Sequence, residues 1–126
     1  MNLIVYSLLL MMLMSCAIDQ NVVVIYTERH YDTDQVLFDQ FTKDTGITLN
    51  IVRASADELV ARLLTEGENT PADVLIFADA GRLYRAMDAS LLQPFEDDVM
   101  KSQVDEGLYD DTYHWYGLTM RARVIM

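Results

Sequence analysis

The feature that most constrains this chain is one short motif met three times in succession: a β-prone apolar run, a polar turn, then a helical pattern. Val22-Val23-Val24-Ile25-Tyr26 is continuous and β-branched, which suits a strand buried on both faces. Thr27 to Asp32 follows as a polar turn. A helix is expected next, capped by Asp32 or Thr33, with Leu37, Phe38 and Phe41 on its apolar stripe and Gly46 as its stop. Ile47, Leu49 and Ile51 alternate as a second strand. Ser55 and Glu58 then form a capping box ahead of Leu59, Val60, Leu63 and Leu64, and Gly67 ends that helix. Val74 to Phe77 reads as a third strand, and Asp79 caps a helix carrying Leu83, Ala86 and Met87. After the break at Gln93-Pro94, the stretch Glu96 to Asp111 is polar and without clear period. Tyr113 to Leu118 and Arg123 to Met126 read as strands. The alternation predicts an α/β domain with a mainly parallel sheet flanked by helices.

Ahead of the first strand, residues 1–17 carry no charged side chain. The run Leu8 to Met14, closed by Ser15, Cys16 and Ala17, has the form of a secretory h-region and cleavage zone. It is shorter than the about 20 apolar residues of a membrane span. Leu13-Met14-Ser15-Cys16 resembles the lipobox of bacterial lipoproteins, in which the cysteine is lipidated. Cleavage after Ala17, with Ser15 and Ala17 as the small-x-small pair, is the alternative. The expected division is therefore a signal peptide over 1–17 and a lobe over 18–126.

All the charge follows that leader, and the net charge of −11 argues against nucleic acid or an anionic membrane surface as partner. It is compatible with a cationic ligand or simply with solubility. Cys16 is the single cysteine, so no intrachain disulfide can form. The sequence has no Gly-rich phosphate loop, no Gly-x-Ser-x-Gly and no His-Glu-x-x-His. Asp57-Glu58 and Asp97-Asp98 are neighbouring carboxylates suited to capping rather than to acid–base work. A binding protein is expected, not an enzyme.

In a parallel sheet, ligands bind beyond the carboxyl ends of the strands. That rule selects the loops Thr27 to Asp32 and Ala78 to Gly81. The first holds Glu28-Arg29-His30-Tyr31-Asp32. Phenolate and imidazole suit a hard, highly charged cation, which can displace a phenol proton otherwise held to about pH 10. Equally, His30 could bond locally and Tyr31 could pack on the helix.

Taken together, these segments resemble the iron(III)-binding periplasmic proteins of ABC transporters. Val24-Ile25-Tyr26-Thr27-Glu28-Arg29-His30-Tyr31-Asp32-Thr33-Asp34 is similar to the family's V-Y-S-S-R-H-Y-x-T-D opening. Phe41 to Ile47, Ala56-Asp57-Glu58-Leu59, Pro71 to Leu75 with Asp79 to Leu83, and His114 to Val124 match further family segments in order. The resemblance implies one lobe of a two-lobed, type II substrate-binding fold, with ferric iron in the cleft and delivery to an ABC permease. It places His30 and Tyr31 at the metal site; members differ in whether the histidine, the tyrosine or both bind iron directly, and Tyr31 is the better supported of the two. It also places Arg121 and Arg123 near the cleft, where a guanidinium could hold a carbonate-like synergistic anion; a strand-end salt bridge is the other reading of these arginines.

The sequence departs from the family where Thr27 and Glu28 replace a serine pair, setting an extra carboxylate beside the site. The family's second-lobe tyrosine pair has no counterpart. Because Val124-Ile125-Met126 is apolar and uncapped, a polypeptide truncated within a strand is expected. The expected location is periplasmic or extracytoplasmic, with a lipid anchor if Cys16 is modified. A receptor for an oxyanion, a thiamine-like cation or a polyamine remains an alternative, as does a non-functional truncated product.

Overall fold

The structure, a computed structural model, describes residues 21–120. The leader, Cys16, Arg121, Arg123 and the strand expected at 123–126 lie outside the described residues. The chain runs β1 (Val22–Thr27), α1 (Asp32–Thr45), β2 (Thr48–Arg53), α2 (Ala56–Glu66), a 3-10 turn (Gly67–Asn69), β3 (Val74–Ile76), α3 (Ala80–Asp88) and α4 (Asp98–Gln103). β1 pairs in parallel with both β2 and β3, giving the order β2-β1-β3. The expected parallel α/β sheet is therefore present.

Local signals set most of the element ends. Ser55 accepts from the Glu58 amide while Glu58 reaches back to the Ser55 amide, closing the capping box at the start of α2. Asp79 caps α3 through the Arg82 amide, and Asp97 caps α4 through the Met100 amide. Gly46 ends α1 with φ 72°, a left-handed conformation in which a side chain would be strained. α1 itself begins differently from the expectation. Tyr31, not Asp32 or Thr33, occupies the cap position, and no side chain caps the helix. Asp32 and Asp34 fall inside its first turn, where their charge still opposes the exposed amide ends.

Successive side chains of a strand point to opposite faces, and the sheet uses both. Tyr26 packs with Ala56, Leu59, Leu63 and Phe77 in the main core, flanked by Val24, Val52 and Leu75. On the other face, Val23, Ile25, Leu49 and Val74 meet Leu37, Phe38 and Phe41 of α1 around a cavity of about 340 Å³. α1 and α2 therefore cover opposite faces. Burial of β1 on both sides is complete only in its second half, at Ile25, Tyr26 and Thr27. Its first half, Val22 to Val24, is half-buried, and Leu37 and Phe41 of α1 stay exposed.

One unassigned stretch is resolved, and one other expectation is corrected. The polar stretch Glu96 to Asp111 contains α4, which Lys101 ties down through Glu96 and Asp98 at 3.0 Å each. Tyr113 to Leu118 is not a strand. Asp110 accepts hydrogen bonds from the backbone of Thr112 and His114, and Tyr113 adopts φ 62°, which folds the segment into a turn. Tyr109 before the turn and Tyr116 after it form one isolated antiparallel bridge. Among the described residues, no helix is long and apolar enough to cross a membrane.

Candidate functional site

The register of the sheet brings the ends of the three strands into line. Thr27 lies beside Arg53 on one side and Ile76 on the other. From β1 the chain departs toward β2, and from β3 it departs into α3. The loops after these adjacent strands meet at the carboxyl edge, and in an open parallel sheet the ligand crevice lies outside that edge. Both loops selected from the sequence border it.

The β1–α1 loop is built on two anchors. Thr27, 1% exposed, donates its hydroxyl to the Ile76 carbonyl at 3.0 Å and accepts from the Arg29 amide at 3.0 Å. Arg29 then turns back to Asp34. Its Nε reaches Oδ2 at 2.9 Å and its Nη2 reaches Oδ1 at 2.8 Å, a two-point grip on a carboxylate that is 8% exposed with its residue. Those hydrogen bonds hold the Asp34 carboxyl below its ordinary value of 3.8, against the opposing effect of burial. They raise the Arg29 guanidinium correspondingly.

His30 and Tyr31 sit on the stretch thus closed. Both are exposed, Tyr31 at 38%. Their rings stack with centroids 5.6 Å apart, and the Arg29 guanidinium lies 5.1 Å from the centre of the Tyr31 ring. His30 Nδ1 stands 3.4 Å from the Glu28 carbonyl oxygen. The two residues selected as metal ligands are thus adjacent, accessible and at the crevice. Each also has a local contact of the kind the alternative reading foresaw. Among the described residues, no group of three or more histidine, cysteine, aspartate or glutamate side chains converges to hold a metal ion.

Glu28 does not stand as an extra carboxylate beside these rings. Its side chain is 10% exposed and crosses to the β3–α3 loop. Oε1 accepts from the Ala78 amide at 2.8 Å, and Oε2 accepts from the Arg82 guanidinium. Arg82 is shared with Asp79, at 3.2 Å from Nε to Oδ2. Sequence reasoning missed both the Glu28–Arg82 and the Arg29–Asp34 pairs. The first spans more than fifty positions and leaves no local signal; the second is a loop arginine and a first-turn aspartate too far apart for a helical pair.

A parallel sheet flanked by helices, with polar loops at its carboxyl edge, defines an α/β lobe. Residues 36–125 match the bacterial extracellular solute-binding protein family, and the chain belongs to that family. It is similar to iron uptake protein A1 of Synechocystis, with 43% identity over 108 residues, 86% of this chain and 30% of that protein. It also resembles the structure of the Trichodesmium protein IdiA (FutA) in complex with iron and citrate, with a TM-score of 0.72 and 41% identity over 75% of this chain and 30% of that one. A putative 2-aminoethylphosphonate-binding periplasmic protein of Salmonella typhi is 37% identical over 91 residues, 68% of this chain and 27% of that protein. The chain thus spans about 30% of the length of the relatives it matches first. The expected type II substrate-binding lobe agrees with the fold and with these relatives.

Proposed function

We propose that this chain is part of an extracytoplasmic solute-binding protein that captures ferric iron for an ABC permease, and that it binds rather than transforms its ligand. The observation carrying the proposal is the exposed His30–Tyr31 ring pair at the crevice, in a chain similar to iron-binding relatives. Tyr31 supplies a phenolate oxygen, and His30 either ligates or orients it; Arg121 and Arg123 hold a carbonate-like anion that completes the iron shell. Residues 1–17 direct export, with Cys16 the site of lipid attachment and residues 18–126 forming lobe sequence.

The phosphonate-binding relative favours a second reading, an oxyanion receptor. On the two described loops the guanidinium groups of Arg29 and Arg82 already face carboxylates, which leaves an oxyanion to arginines elsewhere. A cation ligand fits accessible phenol and imidazole better than an anion does.

The test is a titration with ferric citrate, read by the visible tyrosinate-to-iron charge-transfer band. Tyr31→Phe keeps the ring but removes the oxygen, and should abolish the band. The loss in affinity should far exceed the about 1 kcal/mol of a neutral hydrogen bond. His30→Gln should cost less if histidine only orients the site. An unchanged band in Tyr31→Phe would show the site to be misplaced, and binding of 2-aminoethylphosphonate without iron would favour the oxyanion reading.

A further inference from the structure

Arg82 lies in the first turn of α3, at the carboxyl edge of the sheet, and its side chain is 40% exposed. Its guanidinium is taken by Glu28, a residue of the opposite loop. The same carboxylate accepts the Ala78 amide, so one side chain of the β1–α1 loop holds the β3–α3 loop at two points. Thr27, its neighbour, adds a third point through the Ile76 carbonyl. A carboxylate that is 10% exposed and bonded to both a backbone amide and a guanidinium has exchanged most of its water for these partners. Removing its charge would leave Arg82 with Asp79, 3.2 Å away, as its remaining counter-charge.

We propose that Glu28 is a positioning residue with two effects on the crevice. It latches the third loop to the first, and it occupies Arg82 so that this arginine does not serve the site as an anion-binding group. Glu28 thereby biases the crevice toward cations, because a soluble anion must compete with a tethered one. The consequence for ligand choice rests on the reading of this crevice as the ligand site; the latch and its charge effect do not. The anion completing a ferric site here would then be held by arginines other than Arg82.

The experiment uses inorganic phosphate as the probe and the backbone amide resonances of Ala78 and Arg82 as the readout. The parent chain should show no saturable response. Glu28→Gln keeps an acceptor for the Ala78 amide but leaves the guanidinium only Asp79 as a charged partner. It should bind phosphate about tenfold more tightly than the parent, the scale of one additional charge-assisted hydrogen bond. The added binding should vanish in the Glu28→Gln, Arg82→Gln double variant. A parent that responds as strongly as Glu28→Gln would overturn the proposal, as would a native-like Glu28→Gln spectrum that phosphate leaves unmoved.

If Glu28→Gln does not fold, the parent decides the matter through hydrogen exchange at Ala78. Slow exchange supports the latch, and exchange at the rate of an open loop amide overturns it. Iron enters neither measurement, so a failure here is distinct from a failure of the iron reading.

Discussion

Arg29 grips Asp34 through two hydrogen bonds of 2.9 and 2.8 Å, and His30 and Tyr31 ride on the loop that this grip closes. The pair links the end of β1 to the first turn of α1. It takes the role that a side-chain cap, absent from this helix, would otherwise share. Asp34→Asn keeps the shape of the side chain and loses the charge. It should destabilise the fold by about 2 kcal/mol, the scale of a hydrogen bond to a charged group. Thermal unfolding measures this, and a melt identical to the parent's would show that the pair is ornamental.

The same pair sets a pH dependence with a definite sign. Asp34 has its folded-state carboxyl held below the ordinary 3.8 by Arg29. The unfolded chain therefore takes up the proton first as pH falls. The stabilisation is fully present above the ordinary value and is lost as pH drops through the lowered one. Denaturant midpoints taken from neutral to strongly acid pH should fall in that window, and Asp34→Asn should flatten this part of the profile.

Leu59 is fully buried between α2 and the sheet, in contact with the cluster around Tyr26 and Phe77. Leu59→Ala should cost about 2–5 kcal/mol, the sum of lost transfer energy and the cavity left behind. Equilibrium unfolding in urea provides the number. A cost below that range would mean that α2 relaxes onto the sheet to fill the gap.

The capping box at Ser55 can be isolated from the core because both partners are exposed. Ser55→Ala removes the acceptor for the Glu58 amide and should cost about 1 kcal/mol. It should also release Glu58, whose carboxyl is held below its ordinary value first by the Ser55 hydroxyl. A Glu58 titration that moves back toward the ordinary range in Ser55→Ala would confirm that the hydroxyl is the cause.

The residues that the sequence made legible act over short distances. Ser55 with Glu58, Asp79 with the Arg82 amide, and Gly46 at φ 72° each complete a hydrogen bond or a backbone conformation within a few positions. Their chemistry is therefore visible in the order of the residues. The same holds for the alternation of strands and helices, and for the placing of His30 and Tyr31 on a strand-to-helix loop. Tyr113 to Leu118 departed from its expected strand because β propensity is weak against a competing local bond. The Asp110 carboxylate captured the Thr112 and His114 amides and turned the chain before it could extend.

The sequence by itself thus determined the three strands, the helices between and after them, the caps of α2 and α3, and the loop that carries the candidate ligands. Only the tertiary structure decided that β1 lies between β2 and β3, that the loops after β1 and β3 border one crevice, and that Glu28 faces Arg82 rather than the His30–Tyr31 pair. The physical reason is range. A cap is chosen among neighbours by the backbone's own unsatisfied groups, whereas a carboxylate's partner fifty residues away exists only after the sheet has set the strands side by side.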